Sequence, residues 1–302
     1  MLKILSFSSV LASNTLQGVD SFISNAKSSL LSANLQNLKP IQRLNELSDT
    51  EEALLLETAN LTINEKILKE DLTLIIGDSI TPTQVIPGIS QRLGRYLDLK
   101  VPAFDLISLS TSFTNFCNTM NSWDLSEDSN ILFSSINQCS TRYNFNSEIK
   151  YYLNDCAASV LVSNSDKFNN CFYIDKTEQK EDSLENLFVL PTFSTLEIKA
   201  FNTNYLDAFD KFFSTKVAQL DKENSAIILP EINTKFYKHF KNSLIYKDLN
   251  ILSSFKNDGF SFGSSSLNTL SNYKNKLDSF KHIEIFEYNP GSTFGYTKLT
   301  KE

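Results

Sequence analysis

The stretch Val101-Pro-Ala-Phe-Asp-Leu-Ile-Ser-Leu-Ser-Thr-Ser-Phe113 decides how this chain folds. Its apolar part, Ala103 to Ile107, reads as a buried strand, and a turn of small hydroxyl residues around Ser110 follows it. Similar apolar runs occur on both sides, at Leu2 to Phe7, Leu72 to Ile76, Ile131 to Ser135, Ala157 to Val162, Ala226 to Leu229 and Ile283 to Tyr288. Between several of them apolar residues recur at three- and four-residue spacing. That spacing predicts helices over Gln84 to Leu97 and Leu196 to Leu220, and another over Asp49 to Leu61, which opens with an Asp cap and an acidic first turn. Strands alternating with helices predict an α/β protein whose strands are buried on both faces.

A chain of 302 residues can bury a large core, as one domain or as two halves of about 150 residues. The formal net charge of −7 argues against binding to nucleic acid or an anionic membrane, since both need clustered Lys and Arg to offset phosphate charge. Cys117, Cys139, Cys156 and Cys171 lack Cys-x-x-Cys spacing, so buried free thiols are expected rather than a metal cluster or a disulfide framework. No run approaches the roughly 18 apolar residues that span a bilayer. The first residues, Met1-Leu-Lys-Ile-Leu-Ser-Phe7, read as a first buried strand rather than a signal peptide, which makes the expected location cytoplasmic.

Of eight glycines, seven fall into three short segments: Gly77, Gly88 and Gly94, then Gly259 and Gly263, then Gly291 and Gly295. Glycine permits close backbone approach, so these segments mark where geometry is tightest. The polar stretch Ser163 to Ser194 reads as a surface connection between an N-terminal half, 1–165, and a C-terminal half, 166–302.

In order along the chain, four segments resemble the beta-ketoacyl-ACP synthase III branch of the thiolase superfamily. Leu74-Ile-Ile with Ile86-Pro-Gly-Ile-Ser-Gln-Arg-Leu-Gly94 is similar to the strand, loop and helix before that family's nucleophile. Pro102 to Phe113 resembles the nucleophile segment, with a Phe-Asp pair ahead of the turn. Leu153-Asn-Asp-Cys-Ala-Ala-Ser-Val-Leu161 resembles its Gly-Asp-Gly-Ala-rich strand with both glycines replaced. Asn289-Pro-Gly-Ser-Thr-Phe-Gly-Tyr-Thr297 is similar to its glycine-rich closing loop and last strand. The resemblance implies a thiolase-like fold, two pseudo-repeated βαβαβ halves in α-β-α-β-α layers.

That family condenses acyl thioesters with a cysteine thiolate at a helix N-terminus, assisted by a histidine and an asparagine that bind the thioester oxygen. The resemblance puts Ser110 at the cysteine position. Pro230, in Pro230-Glu-Ile-Asn233, stands for the histidine, and Phe260, in Asp258-Gly-Phe-Ser-Phe-Gly263, for the asparagine. Neither proline nor phenylalanine has a side-chain hydrogen-bonding group, and a serine hydroxyl needs an adjacent base to become a nucleophile. His239 lies in a helical run well past Pro230, and His282 precedes a strand. Asn233 is expected to keep a structural hydrogen bond to backbone, and Glu231 to be a solvated carboxylate.

Two serine motifs compete. Gly77-Asp-Ser79 resembles the first block of GDSL-type esterases, which would make Ser79 a nucleophile, but the matching Asp-x-x-His pair is one residue too long in Asp278-Ser-Phe-Lys-His282. Gly259-Phe-Ser-Phe-Gly263 fits the nucleophile-elbow pattern with Ser261, yet the preceding Ser254-Phe-Lys-Asn-Asp258 is too polar for the buried strand an elbow needs.

The expectation is therefore a non-catalytic subunit, its catalytic positions degenerate at Ser110, Pro230 and Phe260, that needs no cofactor and no metal. Its implied partner is an active ketosynthase paralogue, in a heterodimer or heterotetramer, with acyl carrier protein reached through that partner. Ile86 is expected to reach into the partner's pocket, and Phe104 and Ile107 to lie in a sheet-continuing interface. An acyltransferase using Ser110 is the rival reading.

Overall fold

The computed structural model describes residues 1–12, 14–15, 42–43, 51–63, 66–138, 153–184, 188–192, 195–198 and 204–302. Cys139 and the Asp49 cap lie outside these residues. The seven strands expected from the sequence are all present: β1 (Lys3–Leu11), β2 (Leu74–Asp78), β3 (Ala103–Asp105), β4 (Asn130–Asn137), β5 (Cys156–Ser163), β7 (Ser225–Ile228) and β9 (His282–Asn289). Three more complete the sheet: β6 (Phe172–Glu181), β8 (Asn250–Leu252) and β10 (Thr293–Lys301). The helices that place the site are α1 (Glu51–Ile63), α2 (Ile89–Tyr96), α3 (Ser112–Ser122), α4 (Asn204–Val217), α5 (Thr234–Asn242) and α6 (Ser265–Asn272).

The sheet runs β8-β7-β9-β10-β6-β1-β5-β4-β2-β3. It is built from one unit used twice. In the first, β1 pairs antiparallel with β5 and β5 with β4, while β4 and β2, then β2 and β3, are parallel. In the second, β6, β10, β9, β7 and β8 repeat that sequence of pairings. Each repeat thus reads βαβαβαββ, extending the expected βαβαβ unit by a helix and two strands. Along the sheet the repeats meet in a short ladder, where Lys3 faces Tyr173, Ile4 faces Phe172 and the Ile174 N–H donates to the Leu2 carbonyl.

Helices cover both faces, because strands this apolar must be buried on both sides. On the outside of the first sheet, α1 and α2 pack Leu55, Ala59, Ile63 and Leu93 against Ile75, Leu132 and Leu161. Beyond the second, α4 and α5 contribute Phe209, Phe213, Phe236 and Phe240 against Ile227, Phe286 and Tyr288. Between the sheets lie α3 and α6. Helix α3 buries Phe113, Phe116, Cys117 and Met120, a three-and-four spacing that turns one face inward. With Leu267 and Leu270 of α6 they form a core shared by both sheets. Five layers result, α-β-α-β-α.

Two expectations need correcting. The polar stretch 163–194 contains β6, which sits mid-sheet; its second half is exposed and charged, which gave it the look of a connection. The helix expected from Leu196 starts only at Asn204, and Thr195–Ile198 is a strand paired with Phe188–Thr192.

Candidate functional site

Strand β3 ends in Asp105, and this carboxylate explains the segment around it. It accepts the backbone N–H groups of Ile89 (2.9 Å) and Ser90 (3.0 Å), capping the start of α2 with a negative charge where the helix dipole is positive. A Cβ at Gly77 would stand 2.5 Å from Asp105 Oδ1, and one at Gly88 2.2 Å from Oδ2. Only glycine lets the carboxylate reach both amides, so Gly77, Gly88 and Asp105 form one device.

Past Asp105 the chain turns through Ser108 to Thr111 into α3. Leu109 adopts a left-handed backbone (φ 52°), unusual for a residue with a Cβ, and Ser110 follows it, 5% exposed. Two buried carboxylates hold this turn. Asp78, at the end of β2, accepts from Ser135 Oγ (2.8 Å) and from the Ser108 N–H (3.3 Å). Glu287, on β9, accepts the Thr114 N–H in the first turn of α3 (2.8 Å). Burial pushes each carboxyl up to about 7, only partly offset by these hydrogen bonds, and the charge on Asp78 adds to the rise at Glu287.

Ser110, Pro230 and Phe260, distant in sequence, line one small cavity. Glu231 and Glu287 border it as well. Its free space of about 20 Å³ is room for a single water, far too little for an acyl chain. Two groups there lack partners, Ser110 Oγ and Glu287 Oε1. No histidine or cysteine is among the described lining residues. His239 instead pairs with Asp210 (2.8 Å), and His282 Nδ1 meets Thr300 Oγ1 (3.0 Å). Pro230 and Phe260 supply no side-chain proton or donor, which leaves the two glutamates as the ionisable groups beside Ser110 among the described lining residues.

The remaining candidates take structural places. Ser79 Oγ accepts the Thr81 N–H (3.1 Å), closing a turn. Ser261 follows a helical turn, Phe255–Asp258, and its carbonyl accepts from Asn137 Nδ2 (3.1 Å). Asn233 caps α5, its Oδ1 accepting from Lys235 N (2.8 Å) and Phe236 N (3.1 Å), as expected. Glu231 is not the solvated carboxylate the sequence suggested: burial pushes it up to about 7, and Ser253 Oγ donates to it at 2.5 Å. Sequence reasoning missed Asp78 and Glu287 as groups of this site. The signal was present in Ile283-Glu-Ile-Phe-Glu-Tyr288, where two acids interrupt a run too apolar to face water.

β3 is one of the two edges of the sheet, and apolar side chains cluster beside it. Ile86 is 88% exposed and Ile107 65%, while Phe104 packs on the half-exposed Trp123 with ring centroids 5.3 Å apart. Among the described residues no group of three His, Cys, Asp or Glu could hold a metal, and no helix is long and apolar enough to cross a membrane.

No known family signature and no curated protein matches the sequence. Solved structures do match, over 99% of the chain. The 3-oxoacyl-[acyl-carrier-protein] synthase III from Aquifex aeolicus superposes with a TM-score of 0.78 at 17% identity, over 100% of its own length. OleA from Xanthomonas campestris, solved with lauric acid and lauroyl-CoA, gives 0.80 at 13% identity over 98% of its length. The tetronic acid condensing enzyme AbyA1 gives 0.79 at 10% identity over 100%. The chain has the thiolase-like fold that these condensing enzymes share.

Proposed function

We propose that this protein is a catalytically inactive, synthase III-like subunit. It pairs with an active ketosynthase paralogue in fatty-acid, polyketide or alkylquinolone-type biosynthesis, stabilises it and shapes its acyl pocket. One observation carries the reading: the cavity where Ser110, Pro230 and Phe260 meet has space for about one water and offers neither thiolate nor imidazole. The condensation of the family it resembles uses a cysteine thiolate, a histidine and an asparagine, and Ser110, Pro230 and Phe260 supply none of those three groups. The open edge at β3, with Ile86 and Ile107 exposed beside it, supports pairing as what the fold is used for.

Co-expression with a ketosynthase paralogue that keeps its Cys, His and Asn tests the pairing. A complex that co-elutes on a sizing column is expected; persistent separation sinks it. Within such a complex, Ile86→Trp should shift the partner's product chain length, and an unchanged product profile would count against a role for Ile86 in its pocket. The rival, acyl transfer on Ser110, is examined by incubating the chain with acyl thioester and measuring intact mass. No adduct is expected, whereas a stable adduct absent from Ser110→Ala would replace the scaffold reading.

A further inference from the structure

A groove of about 500 Å³ lies on the C-terminal half, between α5 and the edge strand β8. Tyr237, Phe240 and Lys241 of α5 line it, with Leu244 and Tyr246 from the turn after that helix and Ile251 of β8. Glu231 lines it too, and Glu231 is the one described residue shared with the cavity that holds Ser110. One residue thus stands between the groove and the buried serine.

What holds Glu231 in place is local. Ser253 Oγ donates to its Oε2 (2.5 Å), and the Phe255 N–H donates to the same carboxylate. The segment carrying these donors is anchored from behind: Tyr273 Oη donates to the Ser253 carbonyl (2.8 Å), and Ser254 Oγ pairs with Thr269 Oγ1 of α6 (2.8 Å). The backbone of Glu231 is fixed as well, its N–H on the Leu229 carbonyl (2.9 Å) and the Asn233 cap of α5 just beyond. The part of this wall left free to move is the Glu231 side chain. Rotating outward breaks its hydrogen bonds but returns the carboxylate to water, in a groove lined by the exposed Lys241 and Lys247.

We propose that Glu231 is a gate: with its side chain inward the Ser110 cavity is sealed, and with it turned into the groove the cavity is open to small solutes from the side of β8. The gate is a property of this chain alone and does not rest on the pairing proposed above. Ser110→Cys supplies the reporter, since a thiol in the cavity reacts only when a reagent reaches it. Methyl methanethiosulfonate is small and uncharged; the thiolate attacks its sulfenyl sulfur, methanesulfinate leaves, and the methyl disulfide that forms is followed in time by peptide mass spectrometry. Cys117 and Cys156, fully buried, report unfolding in the same sample. Adding Glu231→Ala should speed labelling at position 110 about tenfold with Cys117 and Cys156 unchanged, whereas Glu231→Gln, which keeps the size and an acceptor for Ser253, should stay within about twofold of the parent. Ile251→Trp, filling the groove, should cancel the gain. Where Cys117 and Cys156 label in step with position 110, the variant has unfolded; Ser253→Ala then replaces Glu231→Ala, and Leu244→Trp replaces Ile251→Trp. A rate unchanged by removing Glu231 or its Ser253 donor overturns the gate. So does a gain that survives a filled groove, since solutes then enter elsewhere.

Discussion

At the scale of single residues, the site is governed by carboxylates kept from water. Burial lifts Glu287 from 4.5 to about 7, so the folded protein keeps a proton that the unfolded chain has released across that interval. The stability this supplies is fully present below about pH 4.5 and is lost as pH rises through 7. Glu287→Gln keeps an acceptor for the Thr114 N–H and removes the charge. It should flatten the fall in stability between those pH values and raise stability at pH 8, by on the order of 3 kcal/mol, read from denaturant melts at a series of pH values. Asp78, lifted by the same burial, keeps part of the slope in that variant. Asp105 contributes through geometry, accepting two backbone amides at the start of α2. Asp105→Ala should cost about 1–2 kcal/mol, measured as a lower midpoint of unfolding. Much of this could be seen in the letters. Ser110, Pro230 and Phe260, the positions that the resemblance matches to the family's catalytic residues, do share a cavity. Glu287 was not legible there, because a carboxylate in a strand reads as the solvent face until the layers covering that strand are known.

At the scale of elements, β3 is a thinly covered end of the sheet: three residues long, half-buried and, among the described residues, unpaired on its outer side. If it is the assembly edge, Ile107→Asp should shift the complex with the paralogue toward separate chains on a sizing column while leaving the unfolding midpoint within about 0.5 kcal/mol, as for a surface change. A complex of unchanged size would place the interface elsewhere. Strands buried on both faces were legible because apolar runs announce themselves. β6 was not, since its later residues alternate Lys, Thr, Glu and Gln above a half-exposed surface, and only its pairing with β10 makes it a strand. β8 is too short for any period to show, and the segment before α4 has helical spacing but was taken by a local hairpin with Phe188–Thr192.

At the scale of the whole molecule, the two repeats are joined less by their sheet than by the layer they enclose. The ladder between β1 and β6 is short, whereas α3 and α6 fill the space between both sheets. Phe116, fully buried and stacked on Phe133 with centroids 4.6 Å apart, belongs to that layer. Phe116→Ala should cost about 3–5 kcal/mol. It should also lower the unfolding of both halves together, seen as one transition by probes placed in each; two separated transitions would show that the repeats are stable apart. The same twofold construction bears on the turn at Leu109. Its counterpart before α6 is Phe262, also a bulky residue with a left-handed backbone (φ 47°), set between Ser261 and Gly263 as Leu109 is set between Ser108 and Ser110. A contorted bend found before the central helix of both repeats, at a serine in one and a glycine in the other, belongs to the joinery of strand and central helix.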